Sequence, residues 1–228
     1  MKPSDRWPLA LGLGVCLTML ALSTWAWLVT PADFQFSVHF DLSGRADRLG
    51  GKAEGLLLLP AIALLLLVLF PLLPRLDPRR ENLERSSRLY GVIWIGVLVI
   101  LGFAHATVVL VSLQVGIDPL AWMPLLIGAF LMILGNNLGK SRSNFFAGIR
   151  TPWTLSSEYA WMRTHRLGGK LFMLAGLATC LAFFLFGWDT EPGRKKVAWV
   201  LMAGIGVASL VSVVASYIFW RTDPERPT

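Results

Sequence analysis

Charge is scarce in this 228-residue chain, where Asp, Glu, Lys and Arg together make up 15% of the residues. An ordinary soluble domain carries about 25%, so the composition argues against a soluble globule. Cysteine is almost missing: Cys16 and Cys180 both fall inside apolar runs, which excludes a disulfide framework and leaves two thiols acting as small packing residues. The three histidines, His39, His105 and His165, lie far apart, without the tight spacing of known metal motifs. Low-complexity tracts and internal repeats are also lacking. No Ser–His–Asp grammar and no converging acid–base set is present, so the chain offers no catalytic residues and implies no cofactor.

What the chain does have is oil in long blocks. Six apolar stretches occupy about 9–29, 54–74, 89–113, 121–138, 169–187 and 197–220. Runs of about 18 residues or more cross a ~30 Å hydrocarbon layer as helix, and helix satisfies the backbone of a lone segment within lipid. The expected architecture is an all-α membrane protein, a six-helix transmembrane bundle with an ordered outer loop and an interfacial cytoplasmic helix. The first run starts with Lys2 and Arg6 but is too long for a signal-peptide core and ends in Trp25, Trp27 and Pro31, so it reads as an uncleaved span. With the N-terminus inside, fifteen Lys and Arg, from Lys2 to Arg226, fall on the cytoplasmic side and six on the outer side. The excess places both termini in the cytoplasm of a multi-pass protein. Residues 1–74 read as an N-terminal module of two spans and an outer loop, and residues 75–228 as a four-span module.

Within the spans, Gly204, Ala208, Ser212 and Ser216 recur every fourth residue and mark a helix–helix seam, either within the bundle or between two copies. Gly135 and Gly139 form a weaker pair. Pro60, Pro71 and Pro74 kink or end the second span. His105 is the strongly titratable side chain inside a span; it is either a functional group or a neutral imidazole bonded to a nearby Ser or Thr. In the outer loop, VHFDLSGRADRLGGK, a turn is expected around Gly44 after Asp41 and Ser43. Asp47 sits between Arg45 and Arg48, and Lys52 reaches the membrane surface as span two begins. His39, His105 and Asp41 are the residues that a metal would use if the loop brought them together.

The inner segment 139–170 sets six cations, Lys140, Arg142, Arg150, Arg163, Arg166 and Lys170, against the single carboxylate of Glu158. Phe145, Phe146, Trp153, Tyr159 and Trp161 are interleaved with them, a mixture suited to the headgroup level. Thr151-Pro152 implies an extended residue before the proline. Thr154, Ser156 or Ser157 then offers an N-cap to a short helix over 156–166, which Gly168-Gly169 breaks before span five. The segment serves as a structural brace or, through Arg150, His165 and Arg166, as a holder for a phosphate or carboxylate.

The stretch GNNLGKSRSNFFAGIRTPWTLSSEYAWMRTHRLGGKLF, Gly135 to Phe172, resembles the signature region of the SdpI family of bacterial membrane proteins. HFDLSGRADRLGGK resembles that family's N-terminal module of unknown function, although Phe34 to Val38 stand where the module usually carries prolines. The resemblance implies a bacterial inner-membrane protein that gives immunity to a membrane-active peptide toxin and recruits a cytosolic transcriptional repressor, without touching nucleic acid itself. It implies an outer recognition set of His39, Phe40, Asp41, Gly44, Asp47 and Lys52. The implied inner docking set is Asn136, Gly139, Lys140, Asn144, Gly148, Arg150, Thr151, Pro152, Trp153, Thr154, Trp161, Thr164, His165 and Arg166, with His105 inside the membrane. The alternative is a transporter or lipid-headgroup binder using His105, His39 and Asp41 from outside with Asn136, Asn137 and Arg150 from inside.

Overall fold

A computed structural model describes residues 7–42, 44–116 and 119–225. Lys2, Arg6, Ser43 and Arg226, all used in the sequence reading, lie outside the described residues. The chain forms helix α1 (Trp7–Val29), strands β1 (Phe36–Phe40) and β2 (Ala46–Gly50), and helices α2 (Lys52–Leu72), α3 (Arg80–Arg85), α4 (Ser87–Ser112), α5 (Met123–Leu138), α6 (Pro152–Ser156), α7 (Glu158–Phe186) and α8 (Glu191–Arg221). Five helices are long and apolar enough to cross a membrane, and α5, at 16 residues, is a shorter apolar helix among them. Outward-facing Leu17, Leu65, Val68, Leu185 and Leu210 are each more than 60% exposed, as the surface of a bundle solvated by lipid should be. The fold is an all-α membrane protein.

Helix α4 packs chiefly against α1 and α2, while α5, α7 and α8 pack on one another. Cys16, Met19, Ala63, Leu67, Trp94 and Leu98 form the core of the first group. Two proline-freed carbonyls govern its polar contacts. Pro60 has no N–H to give to the carbonyl of Leu56, four residues earlier. The hydroxyl of Ser23, on α1, donates to that oxygen at 2.7 Å. With its proton so used, Ser23 Oγ accepts from His105 Nε2 on α4 at 2.9 Å. Pro74 likewise cannot serve the carbonyl of Phe70, and Tyr90 on α4 donates to it at 2.7 Å. His105 is therefore a hydroxyl-bonded imidazole at the meeting of three helices, and its Nδ1 has no hydrogen-bond partner among the described residues.

The second group is held by glycine. A Cβ on Gly135 would lie 2.5 Å from the carbonyl oxygen of Gly169, and one on Gly176 would lie 2.4 Å from that of Gly128. Helices α5 and α7 thus run antiparallel with their backbones in contact. Gly168 packs against Ile149 and Ser212. These contacts correct the expected break at Gly168-Gly169: the glycines admit neighbours, and α7 runs unbroken from Glu158 to Phe186. The expected 156–166 helix is its first turns. The small-residue stripe of α8 is an intramolecular seam, with Gly204 against Ala175 and Ala208, Ser212 and Ser216 buried.

The outer segment contains an antiparallel hairpin, a feature absent from the sequence reading. Its turn places Gly44 at φ 87°, with Asp41 N–H donating to Arg45 O and Gly44 N–H to Asp41 O. Phe36, fully buried, sits against Gly55 of α2, and Ser37 N–H donates to Ser112 Oγ at the end of α4.

Ser23→Ala should destabilise the protein by leaving the Leu56 carbonyl unpaired. Pro60→Ala restores a helical donor, so the double variant should lose less than the two single losses together, by about 1 kcal/mol, in unfolding from detergent. Gly135→Leu should lower the unfolding midpoint sharply, since overpacking costs about 1–3 kcal/mol even against yielding side chains. Gly206→Ala, which meets nothing within 4 Å, should leave it unchanged.

Candidate functional site

Both ends of the bundle carry built polar structure. At the loop end, residues 139–157 are folded tightly by side chains from α7 and from the segment before α4. His165 organises the region. The N–H of Ile149 donates to its Nε2 at 2.8 Å, so the ring proton resides on Nδ1, which faces Trp161 O at 2.8 Å. The imidazole is thereby fixed in a neutral form, stacked on the Trp161 ring at a 4.0 Å centroid distance. Gly148, at φ 125°, passes over it so closely that a Cβ would sit 2.4 Å from His165 Nε2. Position 148 needs glycine for both its backbone angle and its clearance.

Around that centre the donors and acceptors close. Asn144, fully buried, accepts from Phe146 N and Ala147 N and donates to Arg142 O and Ala147 O. Trp161 Nε1 donates to Ser141. Thr151 caps α6 in a capping box with Thr154 and meets Ser216 Oγ of α8 at 3.1 Å. Ser157 caps α7 and bonds Asp223 beyond α8. Trp153 lies edge-on to Tyr217. Thr164 is fully buried, and its hydroxyl has no hydrogen-bond partner among the described residues.

The sequence reading missed the other half of this assembly, in the short connection after α2. Asp77, buried, takes the N–H groups of Arg79 and Phe145. The Arg79 guanidinium bonds Ser143 Oγ and Leu155 O and lies over the Phe145 ring. Asn82 donates to Ser143 O, and Ser86 Oγ accepts from Arg142 N. Asp77-Pro78 was the available signal, because an Asp before Pro commonly opens a turn with its carboxylate on nearby N–H groups.

The fourteen inner residues of the sequence reading therefore divide into three sets. Asn144, Gly148, Thr151, Thr154, Trp161, Thr164 and His165 lie inside or wedged within the assembly and hold its shape. Arg150 and Pro152 face out, with Arg150 Nη1 donating to Phe145 O and Trp153 half-buried beside them. Asn136, Lys140 and Arg166 are exposed along α5 and α7, where Gly139 touches Arg166. Arg150, His165 and Arg166 do not form an anion clamp, because both nitrogens of His165 are used inside.

At the hairpin end, Lys52 donates from Nζ to Trp27 O and Thr30 O, each at 2.8 Å, and lies over the Trp27 ring. It caps the last carbonyls of α1, a favourable place for a cation. His39 Nδ1 and Asp47 Oδ1 meet at 2.6 Å on the exposed hairpin. His39 does not approach His105, and no trio of His, Cys, Asp or Glu among the described residues is placed to hold a metal. Phe40 packs against the apolar cluster that contains Phe36 and Val109. Arg45 pairs with Glu191 at the start of α8, which carries the hairpin tip across the second helical group. Beneath Asp41, Leu42 and Gly44 lies an apolar groove of about 180 Å³ between α5 and α8. Met123, Pro124 and Ile127 form one wall and Val197, Ala198, Leu201 and Met202 the other, with Phe183 and Trp188 between them.

Five apolar helices of spanning length, a hairpin joining two helical groups at one end and an interlocked basic loop at the other define a multi-pass membrane protein. Its sequence relationships agree. Residues 140–216 match the model of the SdpI/YfhL protein family. Residues 14–64 match the Domain of unknown function (DUF1648). The chain is 24% identical over 143 residues to the immunity protein SdpI of Bacillus subtilis (strain 168), a match covering 62% of this chain and 65% of that relative, just under two thirds of its length. No solved structure matches the chain.

His165→Ala should strand the Ile149 N–H, a loss of about 1–3 kcal/mol for a buried donor. Amide hydrogen exchange should accelerate across 145–155 while the lipid-embedded part of α7 stays protected.

Proposed function

We propose that this protein protects the cell that makes it from a membrane-active peptide toxin, which it meets at the hairpin end. The loop end, in this reading, lies in the cytosol and holds a transcriptional repressor. The observation that carries the reading is the groove beneath the hairpin tip. It is apolar, both matched sequence regions help to build it, and with the loop end inside it would face a peptide entering the outer leaflet. The similarity to a protein named for immunity supports the same assignment, and the excess of Lys and Arg near the loop end supports its cytosolic placement. Arg150 and Pro152, with Phe145 and Arg142 beside them, are the exposed groups that a regulator would touch, on a scaffold that His165 and Asn144 keep rigid.

Cells expressing the chain should survive a peptide toxin that kills cells lacking it. Ala198→Trp, which fills the groove, should abolish that survival while the amount of protein in the membrane stays the same. Survival equal to that of the unaltered protein would remove the groove from the reading. Arg150→Ala should reduce membrane recruitment of the repressor without changing survival.

A further inference from the structure

Three exposed cations at the loop end are left over from the assembly described above. Lys140 follows α5, and Arg166 and Lys170 lie on α7; among the described residues none of them is in an ion pair. Their arrangement follows from the glycine contact. Gly135 faces Gly169 and Gly139 faces Arg166 across the antiparallel pair. Residues one step beyond these contacts on right-handed antiparallel helices turn to the same side of the pair. Asn136 and Lys170 therefore lie level with each other on one side, and Lys140 and Arg166 lie level one turn nearer the loop. Lys140 Nζ stands 3.4 Å from Asn136 Oδ1, which places the amide within the same patch.

The surface changes character immediately below. On α5 the next exposed residue on this side is Ile133, 53% exposed. On α7 it is Met173, 38% exposed, followed by Leu174 at 61% and Leu177 at 43%. Both helices thus pass from cation to hydrocarbon at the same height. A partner that fits must carry a negative charge directly above an apolar body. An acidic protein segment supplies the charge without the hydrocarbon, and a free anion has only the charge. An anionic phospholipid has both.

We propose that Asn136, Lys140, Arg166 and Lys170 form a headgroup site for an anionic phospholipid, whose acyl chains lie along Ile133 and Met173. The cations hold the phosphate, the Asn136 amide gives it a further donor, and the close backbone packing of α5 with α7 fixes the spacing between the two cation pairs. This site is independent of the peptide groove and of repressor docking.

The test is native mass spectrometry of the full chain released from mixed bilayers of phosphatidylglycerol and phosphatidylcholine. The unaltered protein should retain phosphatidylglycerol preferentially. Each cation at an anionic surface is worth about fivefold in partition, so Lys140→Gln with Lys170→Gln should lower the preference about 25-fold. Arg85→Gln with Arg88→Gln removes two exposed cations at the same end and should leave the preference largely intact. Inorganic phosphate added in excess should not displace the lipid. Equal retention of the two lipids, equal loss in both double variants, or displacement by phosphate would each overturn the proposal. All four substituted side chains are exposed, and an unchanged unfolding midpoint in each variant separates loss of the site from loss of the fold.

Discussion

A carbonyl without a donor has no water to turn to in a lipid bilayer, and that constraint shapes the first helical group. Pro60 and Pro74 each free an oxygen on α2, at Leu56 and Phe70. An unpaired backbone group in hydrocarbon costs several kcal/mol, so a partner must come from another helix. Ser23 and Tyr90 are those partners, and both bind α2 to its neighbours at fixed heights. His105 then serves the Ser23 hydroxyl. His105, a candidate functional group in the sequence, thus stands at the end of a chain of bonds that starts from a missing proline N–H. In the second group contact comes from the absence of side chains instead: Gly128, Gly135, Gly169 and Gly176 let α5 and α7 meet backbone to backbone.

The loop end uses the same principle outside the spans. A connection of nearly twenty residues between α5 and α7 carries many backbone groups, and the N–H groups of Arg142, Phe145, Phe146, Ala147, Ile149 and Thr151 each find a side-chain partner. Asn144 uses all four of its hydrogen-bonding positions, and His165 uses both nitrogens. The Gly-Ile-Arg-Thr-Pro-Trp-Thr and Trp-x-x-Thr-His-Arg elements thus have a division of labour. Gly148, Thr151, Thr154, Trp161 and His165 build a scaffold, while Arg150, Pro152 and Arg166 remain outside it. Charge and aromatic content made the whole stretch look like a surface, but the aromatic and hydroxyl side chains are largely its interior.

The long helices were legible because lipid imposes a simple rule on composition, and every helix of spanning length falls on an apolar stretch read from the sequence. The turn at Gly44 and the extended Thr151 were legible because local chemistry sets them. The hairpin was not. Phe36 to Phe40 and Ala46 to Gly50 are short, and what stabilises them is the packing of Phe36 on Gly55 and the bond from Ser37 to Ser112, 75 residues away. Gly168-Gly169 reads as a break in isolation and as a contact point once Gly135 and Ser212 are opposite. Asp77, Arg79, Asn82 and Ser86 were overlooked for the same reason. In the sequence they are part of a charged turn, and only the fold brings them against Ser143, Phe145 and Leu155.

These contacts decide what kind of motion could link the two ends. Helices α5 and α7 touch through backbone atoms at two levels, so one cannot slide or rotate on the other without driving a carbonyl into a Cα. They move as a unit. The two helical groups meet differently: Gly96 of α4 takes the Phe130 ring of α5, Leu89 and Tyr90 share an apolar cluster with Leu134 and Leu138, and polar ties close the ends, an ion pair from Arg45 to Glu191 and the hydrogen bonds of Asp77, Arg79 and Asn82. Such polar ties at the ends of a bundle reach water and exchange partners more readily than glycine contacts in lipid. The loop, built from both groups through Arg79 and Ser143, closes one end of that contact, and the hairpin tip closes the other.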